Sequence, residues 1–212
     1  KLIPEEYWNI YVKLLDEKSK KTFDAKFYGK DGKKQELHKQ EEVEEIVKCI
    51  DGGKYIVKNV KNGEKKRTPA PPFTTSTMQQ EASRKLGFTL KKTMSVAQGL
   101  YEGVKIPEKG SVGLITYMRT DSIRLSDDFV RPAMKFIEEN YGKKYLGHVK
   151  HSKKKDNVQD AHEGIRPTSV LREPLKIKQY LSNDEFKLYS LIYKRTLASL
   201  MADACVNQTT II

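Results

Sequence analysis

The chain reads as an α+β protein in which strand-forming ends flank a mainly helical middle. Three observations predict this. Apolar and polar residues alternate near the start, apolar residues recur at helical spacing through the middle, and the last residues begin another strand.

Trp8, Ile10, Val12 and Leu14 alternate with Tyr7, Asn9, Tyr11 and Lys13, as a half-buried strand requires. Phe23, Ala25 and Phe27 repeat the pattern after a turn at Asp16–Lys21, and Lys30-Asp31-Gly32-Lys33 reads as a hairpin turn or loop. Within Glu41–Ile50, residues Val43, Ile46, Val47 and Ile50 form a helical stripe that Asp51-Gly52-Gly53 ends. Tyr55, Val57 and Val60 suggest one more strand. A boundary follows at Lys61–Pro72, where Gly63, the run Lys65-Lys66-Arg67, and Pro69, Pro71 and Pro72 continue neither period.

Beyond the boundary, Thr77 or Ser76 caps a helix through Gln79, Gln80, Ala82 and Leu86, which Gly87 stops. A second helix carries Ser95, Val96, Leu100 and Tyr101 and ends near Gly103; Val112–Tyr117 reads as a short strand. Ser126, with Asp127 and Asp128 in the first turn, starts a third helix with the stripe Phe129, Ala133, Phe136 and Ile137. Pro132 must lie in its first turns to be tolerated. Ser182 and Glu185 form a capping box opening a long helix with Phe186, Tyr189, Tyr193, Leu197, Leu200 and Met201. The chain opens without methionine and stops as a strand begins at Thr209–Ile212, which suggests a piece of something longer. Its last segment is expected to complete the fold begun by residues 1–60.

Forty Lys and Arg against 28 Asp and Glu give a formal charge of +12 in 212 residues. A polyanion is the natural partner, because phosphate contacts add favourable electrostatics; a merely solvated lysine-rich surface is the plainer alternative. No apolar run approaches membrane-spanning length and the start lacks a signal-peptide core, so no membrane and an interior, cytoplasmic location are expected. Cys49 and Cys205 make neither a metal spacing nor a disulfide framework. Gly142–Lys155 holds six lysines and no acid, and serves equally as a solvated loop or a phosphate-tracking surface.

The chemistry concentrates in Pro72–Glu81, Leu114–Ser122 and Gln159–Thr168. Tyr117 is a candidate nucleophile toward a backbone phosphorus, and nearby arginines would favour its ionised form. Arg119, two residues on, would leave the same face of an extended segment and bind a nonbridging oxygen. Asp121 either orients that arginine or, with Ser122, begins a turn. His162 has no metal-ligand companion and suits a hydrogen bond to phosphate, with Asp160 or Glu163 orienting its ring. Arg166, directed by Pro167, either contacts phosphate or pairs with Glu163. Thr74, Thr75, Ser76 and Thr77 offer a phosphate site at a helix start or serve as ordinary caps, and Gln79, Gln80 and Arg84 on that helix would face DNA. There is no glycine-rich nucleotide loop.

Pro71–Phe88 (PPFTTSTMQQEASRKLGF), Gly113–Ser126 (GLITYMRTDSIRLS), Gln159–Ser169 (QDAHEGIRPTS) and Leu188–Ala202 resemble bacterial DNA topoisomerase I, a type IA enzyme. The resemblance covers essentially the whole chain. Gly164 stands where the family commonly has alanine, a change expected to loosen a helix. The resemblance implies the following. Tyr117 attacks single-stranded DNA, forming a 5′-phosphotyrosyl link that conserves the phosphodiester energy, so no ATP is needed. Arg119 positions Tyr117 and the scissile phosphate, and His162 contacts DNA phosphate. Residues 1–66 and 171–212 are parts of a β-rich arch, and residues 67–170 are an inserted helical gate domain carrying the tyrosine. Magnesium is bound by an N-terminal Toprim domain that has no counterpart here, so these residues hold none. The other partners implied are that Toprim domain and the C-terminal regions of the same polypeptide; a nucleoid-associated monomer is expected.

Two competing classes are a non-catalytic single-stranded DNA-binding module and a structural or protein-interaction module whose lysines confer solubility. Neither the distributed Arg-His-Arg-Tyr set of tyrosine recombinases nor a paired-histidine nickase motif is visible.

Overall fold

The computed structural model describes residues 3–107, 110–149 and 162–212. The fold is α+β and divides into two compact units, residues 1–61 with 210–212, and residues 62–209.

In the first unit, β1 (Tyr11–Leu15) and β2 (Thr22–Lys26) form an antiparallel hairpin in the register Tyr11↔Lys26 to Leu15↔Thr22. The turn expected at Asp16–Lys21 closes it, with Asp16 Oδ2 accepting the Ser19 N–H at 2.8 Å. β3 (Gly29–Lys30) and β4 (Lys33–Lys34) flank Asp31 and Gly32, whose φ values of 54° and 77° are those of a tight hairpin turn. α1 (Gln40–Ile50) follows the expected stripe, yet none of its residues is buried. Only Ile10 and Leu37 are buried apolar residues among those described in this unit.

The basic run read as a boundary is instead a strand. β5 (Val60–Arg67) pairs with β8 (Ala204–Ile211), and every residue of both is exposed. A strand exposed on both faces has no apolar alternation to betray it. The strand expected around Tyr55 and Val57 does not form.

The second unit holds the core. α2 (Thr75–Leu86), α3 (Leu90–Glu102) and α6 (Asn183–Ser199) pack on one another, contributing Met78, Ala82, Ala97, Leu100, Leu188, Tyr189 and Ile192. Between α3 and α4 lies a small hairpin of β6 (Val104–Ile106) and β7 (Gly110–Val112), so the strand predicted over Val112–Tyr117 is displaced toward the N-terminus. α4 (Asp127–Tyr141) buries Phe129, Val130, Ala133, Phe136 and Ile137, with Pro132 in its second turn. α5 (Pro174–Ile177) leads by a short 3-10 turn to the Ser182–Glu185 capping box of α6.

The compact units do not share the bounds expected for the arch and gate. The first unit ends at Lys61 rather than residue 66, and no boundary falls at residue 170. α6 was expected to belong to the arch, but it buries its apolar face against α2 and α3 in one core.

Candidate active site

Three remote segments are laced together around Tyr117. Thr116 is the central knot: its N–H donates to Arg166 O at 2.9 Å, its hydroxyl donates to Gly164 O at 2.7 Å, and Arg166 N–H donates to that hydroxyl at 3.0 Å. Ile115 bridges to Pro167, and Ile165 bridges to Phe73 on its other side. The 164–167 segment therefore lies between the Phe73 and Ile115 segments. Its centre is packed shut, since Phe73, Leu114, Ile115, Met118 and Ile165 are all fully buried.

Below the tyrosine, the Thr75 hydroxyl donates to Met118 O at 2.7 Å and accepts the Thr120 N–H at 2.9 Å, while Thr75 N–H donates to Thr120 O. Residues on both sides of Tyr117 are thus fixed through hydrogen bonds to distant chain. Tyr117 itself is 44% exposed, whereas Met118 is fully buried and Arg119 is exposed again. The expected alternation holds in burial, although bends at Thr116 and Met118 break the extended geometry.

No hydrogen bond holds the Tyr117 hydroxyl among the described residues, in contrast to Tyr189 and Tyr193. Those two donate to Arg172 O and Val170 O, both at 2.6 Å, and burial pushes their pKa values well up. The Tyr117 ring meets Tyr101 edge-on, with centroids 5.3 Å apart.

Arg119, Asp121 and His162 are exposed. Arg119 and Asp121 form no ion pair, so the expectation that Asp121 orients Arg119 is not met; the chain instead turns, with Ser122 buried and its hydroxyl accepting the Arg124 N–H at 3.1 Å. A DNA contact through the Ser122 hydroxyl is therefore not what this geometry offers. Glu163 faces Arg166 rather than His162, and Asp160 lies outside the described residues.

Arg166 takes the second of its two expected alternatives, the pair with Glu163. Its Nε donates to Glu163 Oε2 at 2.9 Å, its other nitrogens donate to Glu163, Pro167 O and Ser126 Oγ, and its guanidinium lies over the Phe129 ring at 4.6 Å. Both side chains of the pair are largely buried, so the fork is spent on holding α4 to the central segment. The Ser126 hydroxyl serves Arg166 instead of capping α4.

The helix-start site is closed in the same way. Thr74, not Ser76 or Thr77, caps α2, in a reciprocal box with Thr77, and Thr75 is committed to the tyrosine segment. Little of the donor set remains for an anion. Ser76, Gln80 and Arg84 are exposed on α2, with Gln80 bonded to Ser76 Oγ at 3.2 Å, and Gln79 is half-buried. Gly164 is not helical. An added Cβ there would lie 3.2 Å from Ser122 O and 3.3 Å from Pro72 Cβ, so glycine relieves a tight approach rather than loosening a helix.

Sequence reasoning missed Thr116, Tyr101 and Arg195. Arg195 donates to Pro71 O at 2.7 Å and stacks over Phe73 at 4.7 Å, and its burial lowers its pKa. The partners of Thr116 and Arg195 lie 48 to 124 residues away, so local patterns carry no signal for them. Among the described residues no group of three or more His, Cys, Asp or Glu side chains is placed to hold a metal ion. Residues 150–155 of the lysine-rich stretch fall outside the described residues, and no described helix is long and apolar enough to cross a membrane.

An exposed tyrosine on a doubly clamped segment, in a strongly basic α+β chain, meets its class here: the chain belongs to the DNA topoisomerase family, whose model matches residues 1–212. Among solved structures it is similar to full-length topoisomerase I from Thermotoga maritima, at 37% identity and a TM-score of 0.72. That match covers 97% of this chain and 31% of the other, so the chain spans about a third of that structure's length. The family resemblance agrees with both comparisons, and the α+β class with the structural match.

Proposed function

We propose that this chain supplies the nucleophile-bearing part of an ATP-independent type IA topoisomerase. The Tyr117 oxygen attacks a phosphorus of one DNA strand. An oxygen–phosphorus bond forms to the tyrosine, the bond to the 3′-oxygen breaks, and the phenolic proton is balanced by the one the 3′-hydroxyl gains. Attack by that hydroxyl reverses the step after another strand has passed, which relaxes negative supercoils. Arg119 steadies charge on the nonbridging oxygens, and His162 contributes a phosphate hydrogen bond.

The observation that carries this reading is an exposed tyrosine on a doubly fixed segment. Tyr117 is exposed with its hydroxyl unpartnered among the described residues, while the chain on either side is fixed by Thr116 and Thr75. A rigid support under a free reactive group favours attack, because less orientation must be found at the moment of reaction. The flanking Met118 is fully buried and anchors the segment.

Arg166, Ser122 and Thr75 drop out as direct DNA contacts in this reading and become supports. Arg119, His162, Ser76, Gln79, Gln80, Arg84 and Asp121 remain candidates for contact. Magnesium and the acids that bind it would come from Toprim sequence outside these residues.

The test uses the full-length protein and a single-stranded oligonucleotide labelled at its 3′ end. Stopping with denaturant should give a protein band carrying label, absent in Tyr117→Phe. Label retained on Tyr117→Phe would refute the proposal.

A further inference from the structure

We propose that Tyr101 is a positioning residue for Tyr117, fixing the direction of the reactive phenol by ring contact; this rests on the reading of Tyr117 as nucleophile. The two rings meet at 5.3 Å between centroids with 63° between planes, an edge-on arrangement that aromatic quadrupoles favour. Tyr101 and Tyr117 are 41% and 44% exposed, so both rings rise from the surface rather than sharing the core. Core packing does not account for the contact.

The backbone holds the pair in register. Tyr101 lies in the last turn of α3, and its neighbour Leu100 accepts the Leu114 N–H at 2.8 Å. Gly113 allows that approach, since an added Cβ there would sit 2.8 Å from Tyr101 O. From this junction the chain runs through Ile115 and Thr116, both tied to the 164–167 segment, directly to Tyr117. Two independent anchors therefore set where the Tyr117 backbone lies, but neither sets its side-chain direction. Among the described residues the Tyr117 hydroxyl has no hydrogen bond, and the Tyr101 ring is the aromatic contact that meets the phenol. A side chain already confined to one rotamer loses less freedom on reaching an attacking geometry.

The ring, not the hydroxyl, carries this role. In the full-length protein, Tyr101→Phe should form the covalent complex with a 3′-labelled single strand at a rate within about twofold of the parent. Tyr101→Leu and Tyr101→Ala should be about three- to tenfold slower in a single turnover, the scale of one aromatic pair. Their dissociation constants for the same strand should be unchanged. Thermal midpoints identify any variant that folds poorly, and Tyr101→Leu preserves bulk where alanine does not. An undiminished rate in both Tyr101→Leu and Tyr101→Ala overturns the inference. So does a loss in Tyr101→Phe equal to that in alanine, or a loss expressed wholly in DNA affinity. Tyr117→Phe is run beside them: if it still captures DNA, the nucleophile reading has failed, a result distinct from failure of the Tyr101 contact alone.

Discussion

The Thr75 hydroxyl donates to the Met118 carbonyl oxygen at 2.7 Å, joining the first turn of α2 to the residue that follows Tyr117. The same oxygen accepts the Thr120 N–H, so one side chain satisfies two main-chain groups of a segment with no regular ladder. Thr75→Val keeps the shape and removes both bonds. It should cost about 1–3 kcal/mol, the penalty for leaving partly buried polar groups unpaired. Chemical denaturation of this chain measures the loss, and covalent DNA capture by the full-length protein should fall with it. Wild-type stability would show that water replaces the hydroxyl.

Arg166 should behave as a structural cation. Its fork is engaged by Glu163, Ser126 Oγ and Pro167 O, and both partners of the ion pair are largely buried. Arg166→Ala strands the Glu163 carboxylate, whose Oε1 already lacks a partner, and should destabilise by about 3–5 kcal/mol. An engaged arginine releases no counterion on DNA binding. The salt dependence of DNA affinity should therefore be unchanged in the charge-removing pair Arg166→Gln/Glu163→Gln; a drop in log–log slope of about one would restore Arg166 as a phosphate contact.

What the sequence made legible was local. The first hairpin and the α1 stripe repeat with the period of their own element, and the Asp31-Gly32 turn and Ser182–Glu185 box depend on neighbours in the chain. Thr74 could not be singled out as the α2 cap because four hydroxyl residues in a row offer equal local chemistry, and Thr75's bonds to Met118 and Thr120 decide among them. β5 was missed because it buries nothing and its partner strand begins at Ala204. Tyr117, Arg119 and His162 could be singled out by residue type and motif. The supports around them could not, since Thr116 reaches across 48 residues to Gly164.

Stability should fall in alkali. Burial raises the folded-state pKa of Tyr189 and Tyr193, so their contribution is complete below the unfolded value of about 10 and is lost as pH climbs toward the folded values. In that window the unfolded chain has released protons that the folded one retains. Each phenol should add a slope of about −1.4 kcal/mol per pH unit. Denaturant midpoints at pH 9, 10 and 11 should fall more steeply for the parent than for Tyr189→Phe/Tyr193→Phe. Parallel slopes would mean that neither phenol is protected.

The 212-residue chain by itself should bind single-stranded DNA in a salt-sensitive way without relaxing a plasmid. Its +12 charge supports binding, while the resemblance assigns the magnesium acids to Toprim sequence outside it. A plasmid relaxation assay with magnesium checks this directly, and robust turnover would contradict it.

The most direct measurement locates the bond. Full-length protein trapped on a single strand is digested with nuclease and trypsin, and the nucleotide-bearing peptide is identified by mass spectrometry. The account predicts the remnant on Gly110–Arg119, attached at Tyr117 through phosphate. A remnant on Tyr101 or on any other residue, or a trapped complex whose Gly110–Arg119 peptide is unmodified, would contradict it.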